Sequence, residues 1–273
     1  MTTKTGTRIS SLFERLHHKG EKALIAYLTA GDPSPSRTPD LIAALERGGA
    51  DLIELGVPFS DPIADGPVIQ RAVYRALDAG TTLRRVLEIA RIVRHRSEIP
   101  MLLFTYLNPV LRYGLERFAS DAVVAGLDGC LITDLSVEEA ENYIAHMRRH
   151  NLDTVFLAAP TSSERRLRQV ADYSTGFVYL VTRTGVTGER ASVPASLSQL
   201  VHSMRTITHL PLGVGFGIST PEHVAQAGNL ADGVVVGSAF VRLIEENADN
   251  PSLEIQLESF ARELKHGFKL RNA

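Results

Sequence analysis

The chain has 273 residues, 44% of them hydrophobic and 22% charged, with a formal net charge of −2. That length buries a sizeable core without staples, and the mix is that of a soluble globular protein. The near-neutral balance excludes the global basic field that recruits nucleic acid or an anionic membrane surface.

The predicted elements alternate from end to end. A helix around residues 11–17 comes first, then a strand over Ala23–Thr29, closed by the turn signal Gly31-Asp32-Pro33. A helix over 39–46, with Leu41 and Leu45 one turn apart, leads to a strand at 51–55. Residues 67–79 form a helix whose proline sits near the first turn, where its missing N–H costs nothing. The runs 101–107 and 129–133 are continuously apolar, as strands buried on both faces should be, with a helix over 115–125 between them. In 137–150, Val137, Ala140, Ile144 and Met147 fall at helical spacing. Strands follow at 154–158, 177–181, 212–216 and 233–236, helices at 164–173, 195–204 and 221–228, and a terminal helix near 253–265.

Eight strands, each followed by a helix, imply parallel pairing with right-handed crossovers. In this length they favour a closed α/β architecture, a (β/α)8 TIM barrel with an extra N-terminal helix. No linker or composition shift interrupts the alternation, so residues 1–273 read as a single domain. The one cysteine, Cys130, lies in the apolar run Cys130-Leu131-Ile132 and reads as a small buried hydrophobe, leaving no disulfide and no thiolate metal cluster. The nine histidines include no pair at metal-ligand spacing beside a carboxylate. The first apolar run is short and preceded by Glu14, Arg15, Lys19, Glu21 and Lys22, unlike an export signal. Nothing approaches the roughly 20 apolar residues of a membrane helix, so the expected location is the cytoplasm.

Barrels of this kind place their chemistry at the C-terminal ends of the strands. Glu54 interrupts the apolar run Leu52-Ile53-Glu54-Leu55 and, by alternation, shares a side with Leu52, facing the barrel interior or its mouth. Taken by position alone it is either a structural carboxyl satisfied by a neighbouring hydroxyl or amide, or a general acid/base tuned towards neutrality by burial. Asp65 lies in the long Pro- and Gly-containing loop after the second strand. Taken alone it reads first as a turn former or helix cap, and second as a site carboxylate. The glycine-rich turns Gly213-Val-Gly-Phe-Gly217 and Gly237-Ser238, after strands seven and eight, stand where barrels hold phosphate on backbone N–H groups. The stretch Arg183-Thr-Gly-Val-Thr187-Gly188-Glu-Arg190 is too long for a minimal turn, and is either a lid or a plain surface loop.

Together these residues resemble the tryptophan synthase α subunit family, over nearly the whole chain. The most specific stretch is Glu54-Leu-Gly-Val-Pro-Phe-Ser-Asp-Pro-Ile-Ala-Asp65-Gly-Pro-Val-Ile-Gln70. The segments Ala26-Tyr-Leu-Thr-Ala-Gly-Asp-Pro33, Arg183-Thr-Gly-Val-Thr-Gly188, Gly215-Phe-Gly-Ile-Ser219 and Gly237-Ser238 match further family motifs in order. The resemblance implies a lyase that splits indole-3-glycerol phosphate into indole and glyceraldehyde-3-phosphate, passing the indole to a β subunit in an αββα heterotetramer. It implies Glu54 as the acid/base, Asp65 as the carboxylate that hydrogen-bonds the indole N–H, and Tyr179 beside that glutamate. Gly188, Gly217, Gly237 and Ser238 match the phosphate cradle, and Arg183 and Thr187 the lid. Tyr27, Leu103 and Leu131 fall where the family builds its apolar indole pocket. No cofactor is implied for this chain, pyridoxal phosphate belonging to the β partner. One departure is Ser136, where many relatives carry proline on the face expected to meet that partner. Two rival readings are a different phosphate-binding barrel such as a sugar-phosphate isomerase, which usually needs a strand-end histidine, lysine or metal, and a catalytically silent barrel acting as an allosteric partner.

Overall fold

The computed structural model describes residues 6–181, 195–215 and 217–270. Every strand pair in it is parallel. The strands are β1 (Ala23–Thr29), β2 (Leu52–Gly56), β3 (Met101–Thr105), β4 (Gly129–Ile132), β5, β6 (Val178–Val181), β7 (Leu212–Gly215) and β8 (Gly233–Val236). Strand β5 is hydrogen-bonded in two short pieces, Asp153–Thr154 against β4 and Leu157–Ala158 against β6. With β1 paired to both β2 and β8, the ring therefore closes through the single run 153–158. This is the eight-stranded TIM barrel expected from the alternation of elements.

The helices are α1 (Arg8–Lys19), α2 (Thr38–Arg47), α3 (Pro67–Asp78), α4 (Leu83–Arg94), α5 (Leu107–Tyr113), α6 (Leu115–Val124), α7 (Glu141–Arg149), α8 (Glu164–Tyr173), α9 (Ala195–Ile207), α10 (Pro221–Gly228), α11 (Ser238–Glu246) and α12 (Leu253–Gly267). Three of these, α4, α5 and α11, were not anticipated. Helix α4 buries Leu83, Val86, Leu87, Ala90 and Val93 at helical spacing, and the Thr82 hydroxyl caps it by accepting from the Arg85 amide at 3.3 Å. The apolar run expected as a strand over 101–107 stops at Thr105, because Leu107 already opens α5. The helix expected over 137–150 is divided into a 3-10 turn, Val137–Glu139, and α7.

Side chains alternate across each strand, as the two-residue period requires. Leu24, Ala26 and Leu28 of β1, Ile53 and Leu55 of β2, and Cys130 and Ile132 of β4 point outward into the helix-facing core. Ile25, Leu52, Leu102, Leu131, Val155, Phe177, Tyr179 and Val235 fill the barrel interior. That interior cluster also takes in Ile9, Leu12, Phe13 and Leu16 from α1. The extra helix therefore plugs the N-terminal end of the barrel, with Phe13 against Phe177 at a ring separation of 5.7 Å.

Local chemistry fixes the plug in place. The Thr7 hydroxyl accepts from the Ser10 amide (3.2 Å), and Gly20 ends the helix in the left-handed conformation at φ 66°. Arg8 then reaches across to Glu98 (2.7 Å) and to the buried Asp128 (3.1 Å). With one end covered, ligand access falls to the opposite mouth, where the strands end. Truncating the plug, Phe13→Ala, is expected to lower stability by about 3–5 kcal/mol through lost burial and an unfilled cavity. Urea unfolding checks this; a loss within experimental error would show that α1 only rests on the surface.

Candidate active site

Glu54 enters the barrel because β2 carries Ile53 and Leu55 towards the helices and Leu52 inward. Its side chain is 1% exposed, and neither Oε1 nor Oε2 has a hydrogen-bond partner. The structural reading of this residue needs such partners, and they are missing. An ionised carboxylate in that position would lose its hydration with nothing in exchange. Burial accordingly pushes the Glu54 carboxyl up to about 8, so the neutral acid predominates at physiological pH.

Two tyrosines share this space. Tyr27 stands beside Glu54 in the β1–β2 register, and the phenols of Tyr27 and Tyr179 are both held well above their usual range. Burial is the main cause, and the nearby Glu54 charge adds to it in each. Glycines in the strands make room for their hydroxyls. A β-carbon at Gly56 would stand 2.4 Å from Tyr27 Oη, and one at Gly215 would stand 2.6 Å from Tyr179 Oη. Tyr27 Oη also lies 3.3 Å from the Thr29 hydroxyl, and its ring meets Phe104 edge-on at 5.2 Å.

Asp65 is positioned by a residue that sequence reasoning missed. The Tyr106 hydroxyl donates to Asp65 Oδ2 at 2.9 Å and accepts from the Ala64 amide at 3.0 Å, pinning the loop to the end of β3. Phe59 packs against the Tyr106 ring at 5.3 Å. Gln70 on α3 donates to the Asp65 carbonyl at 2.8 Å. Asp65 does not act as a helix cap: Gly66 occupies that position with no side-chain bond. Burial raises the Asp65 carboxyl to about 6, and the Tyr106 hydrogen bond works against that rise. Near neutrality Asp65 is thus mostly ionised while Glu54 is mostly protonated, a separation typical of carboxyl pairs with divided roles. The sequence gives no sign of the Tyr106 role, because the apolar run 101–107 reads as strand through Tyr106 and its partner lies 41 positions away.

The remaining sequence-predicted residues divide three ways. Gly217 adopts φ 82°, which favours glycine, and Gly237 directly precedes α11, whose first residue is Ser238. The opening turn of a helix offers N–H groups without intrahelical partners, an arrangement suited to an anion. Leu131 faces the interior with Leu102 and Val155. Leu103 does not: it packs in the helix-facing core, level with Leu55 and Cys130. Its neighbour Phe104 points inward instead, because a one-residue offset inverts the face of a strand. Arg183, Thr187 and Gly188 lie outside the described residues. Among the described residues, no group of three or more His, Cys, Asp or Glu is placed to hold a metal ion.

A family model described as tryptophan synthase alpha chain matches residues 13–269. The chain is 69% identical over 265 residues to the tryptophan synthase alpha chain of Solibacter usitatus, covering 97% of this chain and 99% of that one. It is 53% identical to that of Geobacter sulfurreducens, covering 88% and 90%. The crystal structure of tryptophan synthase subunit alpha from Legionella pneumophila superposes with a TM-score of 0.90 at 37% identity, covering 96% of this chain and 98% of that one. A chain of Mycobacterium tuberculosis tryptophan synthase gives 0.90 at 36% identity, covering 97% and 100%. The chain belongs to the tryptophan synthase alpha chain family.

Proposed function

We propose that Glu54 and Asp65 divide the work of the family's lyase reaction, the cleavage of indole-3-glycerol phosphate to indole and glyceraldehyde-3-phosphate. The observation that carries this reading is the unpartnered carboxyl of Glu54 inside the barrel. Protonated Glu54 gives its proton to indole C3, which leaves positive charge on the ring nitrogen. Ionised Asp65 accepts the N–H and steadies that charge. The Glu54 carboxylate then takes the proton of the glycerol hydroxyl next to the ring; the carbon–carbon bond breaks, its electrons return to the ring, and an aldehyde leaves. Glu54 ends protonated, so one group serves both transfers. Tyr179 and Tyr27 wall the acid, Leu131 and Phe104 present apolar surface to the indole, and Tyr106 holds Asp65. Gly217, Gly237 and Ser238 are the phosphate contacts. Gly188, and Arg183 and Thr187 as lid residues, rest on the family resemblance alone.

An alpha chain implies a β-subunit partner. We further propose an αββα heterotetramer with pyridoxal phosphate in the β subunit, a cytoplasmic location, and the whole of this chain as one barrel domain. Supporting a partner at the mouth, Ile63 in the Asp65 loop is 82% exposed and Leu111 on α5 is 53% exposed. No helix among the described residues is long and apolar enough to cross a membrane. Ser136 has φ −67°, which proline also adopts, and its hydroxyl accepts from the Glu138 amide at 3.3 Å. Replacing proline here keeps the backbone path and adds a cap, which supports retention of the partner face. A silent allosteric barrel is not favoured, because such a protein has no use for an unpaired buried acid.

Two outcomes test the assignment. Glu54→Gln is expected to lower indole release by about 10²- to 10⁴-fold while substrate still binds; near-normal turnover would remove Glu54 from the mechanism. The second is pH-dependent stability. The Glu54 carboxyl is raised in the folded state, so the native protein binds the extra proton and stability falls as pH climbs from the usual carboxyl range through about 8. Urea titrations of wild type against Glu54→Gln should therefore diverge across that window, the variant losing less stability with rising pH. Parallel curves would mean that Glu54 titrates normally.

A further inference from the structure

The two ends of the proposed substrate site are carried by different helices. The Asp65 loop runs directly into α3, and Gln70 on that helix grips the loop through the carbonyls of Asp65 (2.8 Å) and Pro62 (3.4 Å). The turn of Gly237 and Ser238 opens α11. The lie of α3 against α11 therefore sets the distance between the Asp65 carboxylate and the anion site.

A small apolar cluster joins the two helices, with Ile69, Ala72 and Val73 of α3 against Val241 of α11 and Tyr27 of β1. Apolar contact is non-directional and tolerates sliding. What fixes the register is a chain of ion pairs through Arg75. Its Nε and Nη2 donate to Oδ1 and Oδ2 of Asp32 at 2.8 and 2.9 Å, and its Nη1 donates to Glu245 Oε1 at 2.7 Å. Asp32 lies on the turn after β1 with its side chain 2% exposed, so both bonds of this fork end on a buried carboxylate. Arg71 closes the outer side of Glu245 with two bonds of 2.7 Å, but it is 52% exposed and adds little alone. One guanidinium thus ties the barrel mouth, the helix of the carboxylate loop and the helix of the anion turn.

We propose that Arg75 is a positioning residue of the lyase, setting the spacing between the Asp65 loop and the anion site without touching substrate. The inference rests on the reading that Gly237 and Ser238 bind the phosphate. Indole and glycerol phosphate are joined in one substrate, so both half-sites must be engaged at a fixed separation. A displacement of about 1 Å between them costs on the order of 10²-fold in rate, while either half still receives its own fragment.

The test uses Arg75→Lys, which keeps the charge and removes the fork, and the milder Glu245→Gln, which takes the charge from the Nη1 partner and leaves the Asp32 fork in place. For each folded variant, binding of indole alone and of glycerol phosphate alone is measured beside cleavage of indole-3-glycerol phosphate. The expected result is fragment binding as in wild type, with kcat/KM for the joined substrate falling by on the order of 10²-fold in Arg75→Lys, mostly in kcat, and by less in Glu245→Gln. Unchanged cleavage in the folded variants overturns the proposal. Parallel weakening of both fragments and the joined substrate also overturns it, since that is general loosening. Ser238→Asp separates the underlying reading: if glycerol phosphate binds it as well as wild type, the phosphate assignment fails, whatever Arg75 does.

Discussion

A carboxyl group enclosed by a parallel barrel with no hydrogen-bond partner is the constraint on which the rest of the site depends. Glu54 is held there by strand alternation, with Leu52 below it on the same face and Ile53 and Leu55 locked into the outer core. The fold tolerates the group because it stays protonated, and the absence of partners is what keeps it so. A neighbouring amide or cation would stabilise the ionised form and return the acid to the ordinary carboxyl range, where it would hold no proton to give. The poor local hydrogen bonding of Glu54 and its chemical usefulness are therefore one property.

The surroundings follow from that requirement. The extra helix α1 seals the far end of the barrel with Phe13 against Phe177, so the interior below Glu54 is apolar. Gly56 and Gly215 give up side chains so that two tyrosine hydroxyls fit beside the acid rather than clash with the strands. Asp65 is treated in the opposite way. It sits on a loop, is only partly enclosed, and receives a hydrogen bond from Tyr106, so it ionises at lower pH than Glu54. Two carboxyls of the same chemistry are thus separated by environment, one kept neutral in the barrel wall and one charged at its mouth.

Much of this was legible in the chain. The alternation of elements, the interior orientation of Glu54 and the strand-end glycines all follow from periods of two and 3.6 residues and from turn chemistry. What escaped had physical reasons. Within the uniformly apolar run of β3, polarity does not distinguish inward from outward residues, so Leu103 was placed in the pocket when Phe104 is the residue that points there. Tyr106 was hidden because its role depends on where the Asp65 loop folds back, a contact between residues 41 positions apart. Helices α4, α5 and α11 fell outside the one-strand, one-helix reading of the repeat. Arg75 carries no local signal, since its meaning lies in the convergence of the β1 turn, α3 and α11.

The most direct measurement is an infrared titration of the carboxyl C=O stretch in wild type, with Glu54→Gln as the reference. The account predicts a protonated-acid band near neutrality that disappears with an apparent pKa of about 8 and is missing from the variant. If every carboxyl band that the substitution removes titrates near the unperturbed value of about 4.3, Glu54 is an ordinary carboxylate and the central claim is wrong.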